Sequence, residues 1–274
     1  MHKTGRGEPY LYPKTDDPTL QKITKSYIYK LMHITLVNQC HSDTSAEDTL
    51  MYVTIPDPGT IAAPLAPLAS STPKPAEARL RPGAFLYYEG DEVDWLYQVT
   101  SGVVRLTRLL ADGRRQVIAF GYPGDIIGFP ADGQHHTDCE TLTDARLQPF
   151  RRAHLETGEG DPVLHSALLQ AALREISAMQ DHFMMLGRKS ATEKLASFLC
   201  VLTDRVGQDL GNYRQVKLPM CRSDIADFLG LTTETVSRTF TQLRKSKIIA
   251  IDQSHTVIIQ KPTALLGLSL GDLD

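Results

Sequence analysis

Cysteine is scarce in this chain of 274 residues: Cys40, Cys139, Cys200 and Cys221 lie far apart, with no C-x-x-C pair and no zinc-finger spacing. That excludes a disulfide scaffold and suits free thiols in a reducing cytoplasm. No run of about 18 apolar residues occurs, which argues against a membrane-spanning helix. The N-terminal region lacks the apolar centre of a secretory signal, because "YIYKLMHITLV" is interrupted by Lys30 and His33. A nucleophile elbow, a phosphate loop and an H-E-x-x-H pair are all missing, so the chain does not read as an enzyme.

What is present is a lopsided charge. The chain carries −3 overall, yet Gly187–Lys247 holds eleven Lys/Arg against six Asp/Glu, a local +5 that leaves −8 on the remainder. A basic C-terminal third on an acidic body is the footprint expected of a nucleic-acid partner.

The chain divides by composition. Residues 1–78 form a weakly periodic extension followed by a Pro/Ala-rich linker, "PDPGTIAAPLAPLASSTPKP", with six prolines in twenty residues. No module is legible before the linker, and Met32 or Met51 offers a later start. Residues 79–160 read as short β-branched and aromatic strands set off by turn signals such as Pro82-Gly83, Ser101-Gly102 and Pro123-Gly124. That spacing predicts a barrel or double-sheet roll. At 161–188 the period changes: Leu169, Ala172, Ile176, Met179, Phe183 and Leu186 recur at 3, 4, 3, 4, 3. The helix opens on Asp161-Pro162, an N-cap followed by proline. A helix packed only on its own barrel also gives an apolar stripe, but strict 3,4 alternation favours a partner helix and hence a homodimer. Ser190 and Glu193 fit a capping box at the start of the next helix.

Residues 189–263 read as a winged helix-turn-helix, and 264–274 as a tail. In "MCRSDIADFLGLTTETVSRTF", Ile225, Ala226, Phe228 and Leu229 form one buried helical face. Gly230 suits a left-handed C-terminal position, and Thr232 caps a second helix whose Val236, Phe240 and Leu243 face inward. Thr233, Glu234, Ser237, Arg238 and Thr241 then face outward. The second helix is the natural one to enter a major groove of double-stranded DNA. Arg238 can pair with guanine O6 and N7, Glu234 can accept from a cytosine amino group, and the Thr233 methyl can meet a thymine methyl. Thr232, Thr241, Arg244, Lys245, Lys247 and Arg222 are the candidate phosphate contacts. "KIIAIDQSHTVIIQ" supplies a two-stranded wing around Gln253 to His255. The fold class is therefore α+β: a β-roll, a long dimerisation helix and a winged helix-turn-helix.

This order resembles the Crp/Fnr superfamily of bacterial transcription regulators over roughly 79–261. "ETVSR" (Glu234 to Arg238) and "RKSATEKLASFL" look like its Fnr–FixK side. The resemblance implies that Glu234, Ser237 and Arg238 read a TTGAT-type half-site of a two-fold symmetric box. It also implies that the bound homodimer recruits RNA polymerase.

No cofactor is expected. Family members that bind cyclic nucleotides hold the phosphate with an arginine, and none lies between Asp125 and Arg146 in "GDIIGFPADGQHHTDCETLTDARL". An anionic phosphate buried without a cation would be costly. Cys40 and Cys139 alone fall short of an iron–sulfur ligand set. His135, His136, Asp138, Cys139 and Glu140 are metal-ligand types, but alternation along a strand splits them, and a polar surface turn is the expectation. A β-roll that binds some other small effector is the competing reading. Cys221 stands at an N-cap where a hydroxyl is preferred, with Asp224 as the acidic N3 partner. A helix N-terminus and Arg222 both favour a thiolate there. The resemblance to FixK-type regulators adds that oxidation of such a cysteine weakens DNA binding; an inert thiol filling a small space is the alternative.

Overall fold

The computed structural model describes residues 75–271 apart from 131, 159, 253 and 254. The expected N-terminal extension and nearly all of the Pro/Ala-rich linker, with Cys40, Met32 and Met51, lie outside the described residues. Eight short strands come first: β1 (Ala78–Leu80), β2 (Phe85–Tyr87), β3 (Trp95–Ser101), β4 (Val104–Leu109), β5 (Arg115–Gly121), β6 (Ile126–Ile127), β7 (Asp138–Thr141) and β8 (Ala145–Arg151). They form two antiparallel four-stranded sheets, ordered β1-β8-β3-β6 and β2-β7-β4-β5. The sheets enclose Leu96, Val99, Val104, Leu106, Ile126, Ile127 and Leu147, all buried. Between β3 and β4 the chain needs Gly102: its φ is +84°, and a Cβ would stand 2.2 Å from the Asp144 carbonyl oxygen.

The stretch expected as a polar surface turn is partly core. Strand β7 sends Cys139 fully inward, and His135 stacks flat on Tyr87 with ring centroids 3.5 Å apart. Burial pushes the Cys139 thiol pKa up. Glu140 turns the other way, to Arg105. Among the described residues no three of these types come together as metal ligands.

After a short helix α1 (Arg152–Glu156) runs α2 (Pro162–Arg188), 27 residues or about 40 Å long. Asp161 caps it as expected, its carboxylate accepting from the Leu164 N–H at 3.0 Å. The helix has two apolar faces. Leu164, Leu168 and Ala171 close the barrel core, and Ala178, His182 and Met185 continue that buried stripe. On the other face Leu169, Leu173, Ile176, Met179 and Phe183 stand exposed, Phe183 at 74%. Ala172 and Leu186 are half-buried at the border.

Helix α3 (Ala191–Val206) begins with the expected Ser190–Glu193 capping box. Then follow β9 (Gln208–Leu210), β10 (Tyr213–Lys217), α4 (Arg222–Leu229), α5 (Thr233–Lys245), β11 (Ile249–Asp252), β12 (Thr256–Ile259) and α6 (Pro262–Leu270). The expected two-stranded wing is half of a four-stranded sheet, β11-β12-β10-β9, because β12 pairs on its other edge with β10. The segment expected as a tail is helical and belongs to the domain. Leu265 and Ser269 of α6 are buried, and Lys189 Nζ donates to the Ser269 carbonyl and to Ser197 Oγ, each at 2.9 Å.

The barrel and the C-terminal half share one core. Phe120 of β5, Phe198 of α3 and Phe228 of α4 pack with centroids 5.3–6.4 Å apart. Beside them the buried Arg205 of α3 donates to Asp125 of the barrel at 2.6 Å. Burial pushes the Asp125 pKa up to about 7, against the pull of Arg205 and the Tyr122 N–H. Removing either partner of such a pair strands a buried charge.

His182 of α2 stacks on Phe228 at 4.4 Å. Burial pushes its pKa down to about 4, although a hydrogen bond to the Phe228 backbone raises it. The unfolded chain takes up this proton near pH 6.5 and the folded chain does not. The stabilisation is therefore complete above about pH 6.5 and is lost as pH falls toward 4. Between pH 7 and 5 the protein should lose about 2 kcal/mol more than a His182→Leu variant does, read by urea unfolding at both pH values. Parallel losses in the two proteins would refute this account.

Candidate DNA-binding surface

Helix α4 starts at Cys221, whose backbone is extended and whose N–H donates to the Asp224 carboxylate at 3.1 Å. The exposed thiol donates to the same carboxylate at 3.1 Å and lies 2.9 Å from Ser223 Oγ. Burial pushes the Asp224 pKa up, but the Cys221 hydrogen bonds and the charges of Arg105 and Arg115 outweigh it and hold the carboxyl below its ordinary value. The helix ends at Gly230 in the left-handed region, φ +61°, and the Leu231 N–H closes the turn on the Ala226 carbonyl at 2.9 Å. Thr232 then accepts from the Thr235 N–H at 3.1 Å and opens α5.

Along α5, Val236, Thr239, Phe240 and Leu243 are buried. Thr239 is the addition to the expected inner face; its hydroxyl is satisfied by the Thr235 carbonyl at 2.8 Å. The outer face carries Thr233, Glu234, Ser237 and Arg238 exposed, with Thr241 half-buried beside them. Glu234 Oε1 and Arg238 Nη2 meet at 2.5 Å as an i, i+4 pair in full solvent. At such exposure the pair adds little stability, but it orients both side chains toward the same side. Ser237 donates to the Thr233 carbonyl at 2.8 Å and Thr241 to the Ser237 carbonyl at 2.9 Å, so each must turn its proton outward to donate to DNA, Ser237 to a base edge and Thr241 to a phosphate.

Arg244, Lys245 and Lys247 are exposed around the C-terminal end of α5. Lys247 has φ +53°, a region glycine enters without strain, and its N–H closes on Arg244 while that of Ile248 closes on Leu243. Arg222 departs from the expected arrangement. Its guanidinium lies 3.4 Å over the Phe240 ring, where burial lowers its pKa, and so it ties α4 to α5. The cation expected to draw out a Cys221 thiolate is turned away, and the thiol's charged neighbour is an acid.

Asp125 is fully buried, with one oxygen accepting from Arg205 and the other from the Tyr122 N–H. Among the described residues no buried arginine belongs to the barrel core, which is filled by apolar side chains.

A set of charges absent from the sequence reading sits on α4. Arg105 of β4 reaches Asp224 at 2.5 Å, and Arg115 of β5 reaches Asp224 at 2.7 Å and Asp227 at 2.8 Å. Partners more than a hundred residues apart leave no local pattern, so no sequence signal pointed to them.

Two family models match: a Crp-like helix-turn-helix domain over 193–268 and a cyclic nucleotide-binding domain over 77–157. The nitrogen fixation regulation protein FixK of Rhizobium meliloti is 41% identical over 204 residues, covering 74% of this chain and 92% of that protein. The transcriptional activatory protein AadR of Rhodopseudomonas palustris is 41% identical over 63% of this chain and 73% of its own. Among solved structures, FixK2 from Bradyrhizobium japonicum superimposes with a TM-score of 0.64 at 34% identity, covering 70% of this chain and 96% of that one. With a β-roll, a long helix and a helix-turn-helix in the order of these relatives, the chain is a transcription regulator of the Crp/Fnr superfamily and belongs to its FixK-like group.

Proposed function

We propose that this regulator works as a homodimer that reads a two-fold symmetric TTGAT-type box through α5 and activates transcription by recruiting RNA polymerase, with no small effector. The carrying observation is the outer face of α5, where Glu234 and Arg238 are exposed and mutually oriented while the inner face is wholly packed. Residues at i and i+4 present a guanidinium and a carboxylate to neighbouring base pairs, the chemistry for adjacent guanine and cytosine edges. Ser237 lies between them and Thr233 at their N-terminal side. Thr232, Thr241, Arg244, Lys245 and Lys247 surround this strip and supply phosphate contacts. Lys247 keeps a cation at a position where its backbone would favour glycine, which accords with a use for the charge.

The exposed stripe of α2 supports the dimer. Leu169, Ile176, Met179 and Phe183 project from a helix whose opposite face is already buried, and their heptad spacing matches a second copy of the same helix. A two-fold dimer meets a two-fold operator. Effector independence is supported by the apolar barrel core, into which, among the described residues, no buried arginine of the barrel brings the cation a phosphate would need. Binding of a TTGAT-type palindrome by the purified, additive-free protein tests it; failure to bind until a small molecule is supplied would favour an effector-gated barrel.

Cys221 is exposed at the edge of this surface. Peroxide oxidises the thiol through sulfenic to sulfinic acid, each oxygen coming from one peroxide that leaves as water. The product is an anion beside the DNA phosphates and 3.1 Å from a carboxylate, so binding weakens on two counts.

Three outcomes follow from this reading. Arg238→Ala should lose about 1–3 kcal/mol on the cognate box and relax base preference, whereas Lys245→Ala should weaken all duplexes alike; binding titrations on matched and mismatched duplexes decide between them. Ile176→Glu should leave a folded monomer by sedimentation and abolish tight palindrome binding, and a stable dimer would contradict the assigned seam. Peroxide should weaken DNA binding of the parent protein and spare Cys221→Ser; equal losses would remove Cys221 from the mechanism.

A further inference from the structure

Two cations of the barrel, Arg105 and Arg115, are turned toward the helix-turn-helix. Arg105 and Arg115 project from adjacent strands of the β4–β5 hairpin. Together they meet Asp224, at the first turn of α4, and Asp227 one turn later. Arg105 also holds Glu140 of β7, which fixes its guanidinium from behind. Gln116 adds a hydrogen bond from its side-chain amide to the Asp227 carbonyl. Asp224 is almost wholly enclosed and Arg105 nearly so, so this contact is shielded from solvent. Two forked cations on two carboxylates define an orientation as well as an attraction.

Helix α4 is held on its other side too. His182 near the end of α2 stacks on Phe228, and Leu186 lies where a Cβ on Gly230 would be 3.5 Å away. The Arg222–Phe240 stack and the Gly230 turn then fix α5 to α4. A continuous path therefore runs from the dimerisation helix and the barrel hairpin through α4 to the reading helix.

We propose that Arg105 and Arg115 are positioning residues for operator recognition: they clamp α4 to the barrel and so set the spacing of the two reading helices across the dimer. Neither is offered to DNA, since both guanidiniums are committed to carboxylates. Two reading helices must enter successive major grooves about 34 Å apart. A domain free to swing must be ordered on binding, and the cost appears only when both half-sites are engaged together. A single half-site asks for one domain and is indifferent to the spacing. This proposal rests on the dimeric, palindrome-binding reading above.

The test uses full-length protein with Arg105→Gln and Arg115→Gln combined, compared with the parent by two readouts. Without DNA, amide hydrogen exchange over Cys221–Leu229 should quicken about tenfold while the barrel and α2 keep their protection. On DNA, affinity for the palindrome should fall about tenfold while affinity for a duplex with one half-site stays within about twofold. Arg115→Gln and Asp227→Asn should each show part of the loss and be non-additive together, the signature of one contact. Unchanged exchange at α4 overturns the clamp whatever the DNA result. Equal loss on both duplexes overturns the spacing role and leaves a local effect on the reading helix. A parent protein that prefers neither duplex would instead sink the palindrome reading, while the exchange measurement still judges the clamp.

Discussion

A single buried carboxylate, that of Asp224, ties together the parts of this molecule that bind. Taking a carboxylate out of water costs several kcal/mol unless charge and hydrogen bonds replace the solvent. Here they come from three sources: the Cys221 N–H and thiol at its own helix terminus, Arg105 on β4 and Arg115 on β5. The helix dipole at the first turn of α4 favours the same negative charge. Because each donor is anchored in a different element, satisfying the carboxylate fixes where α4 begins relative to the barrel. Everything exposed on α5 inherits that placement through the Gly230 turn and the Arg222–Phe240 stack.

The long helix shows how one amphipathic rule can serve two partners. Helix α2 buries Leu164, Leu168 and Ala171 in its own barrel core, then Ala178, His182 and Met185 along the same stripe. It leaves a second stripe, Leu169 to Phe183, in solvent. A helix apolar on two faces is unstable as a surface element of a monomer, since the outer stripe offers a large patch for association. In the proposed dimer, folding and assembly would draw on two stripes of one helix, so that a change disturbing the inner stripe shifts the outer one.

What the sequence made legible was local. Caps at Asp161, Ser190 and Thr232, the left-handed Gly230 and the inner and outer faces of α5 depend on residues three or four apart, and each stands in the structure as read. The four-stranded nature of the wing sheet was hidden because β9 is only three residues long and fully exposed, without alternation. Helix α6 was hidden because "PTALLGLSL" is apolar on every side, and periodicity has nothing to detect in it. The reading of Cys221 was half right. The cysteine does stand at the N-cap with Asp224 as its partner, but the neighbouring Arg222 lies over a ring, and the charge beside the sulfur is negative. Long-range pairs such as Arg105–Asp224 and Asp125–Arg205 come from topology, which places residues 80 to 119 positions apart in contact.

The barrel itself is best understood by where its polar groups point. A cyclic nucleotide-binding domain needs an acid for a ribose and a cation for a phosphate, both facing the interior. In this chain the buried acid Asp125 is paired with Arg205 of α3, and Arg105 of β4 and Arg115 of β5 are paired with α4. The interior is apolar. These ionic groups join the barrel to the DNA-binding half, and the two halves share the Phe120–Phe198–Phe228 cluster. A ligand-gated domain gains by leaving its joints weak until the ligand arrives, because only a differential contact can shift the equilibrium. Joints built from buried ion pairs and aromatic packing favour one arrangement, and that is the physical argument for the proposal that this barrel is a fixed support for the reading helix.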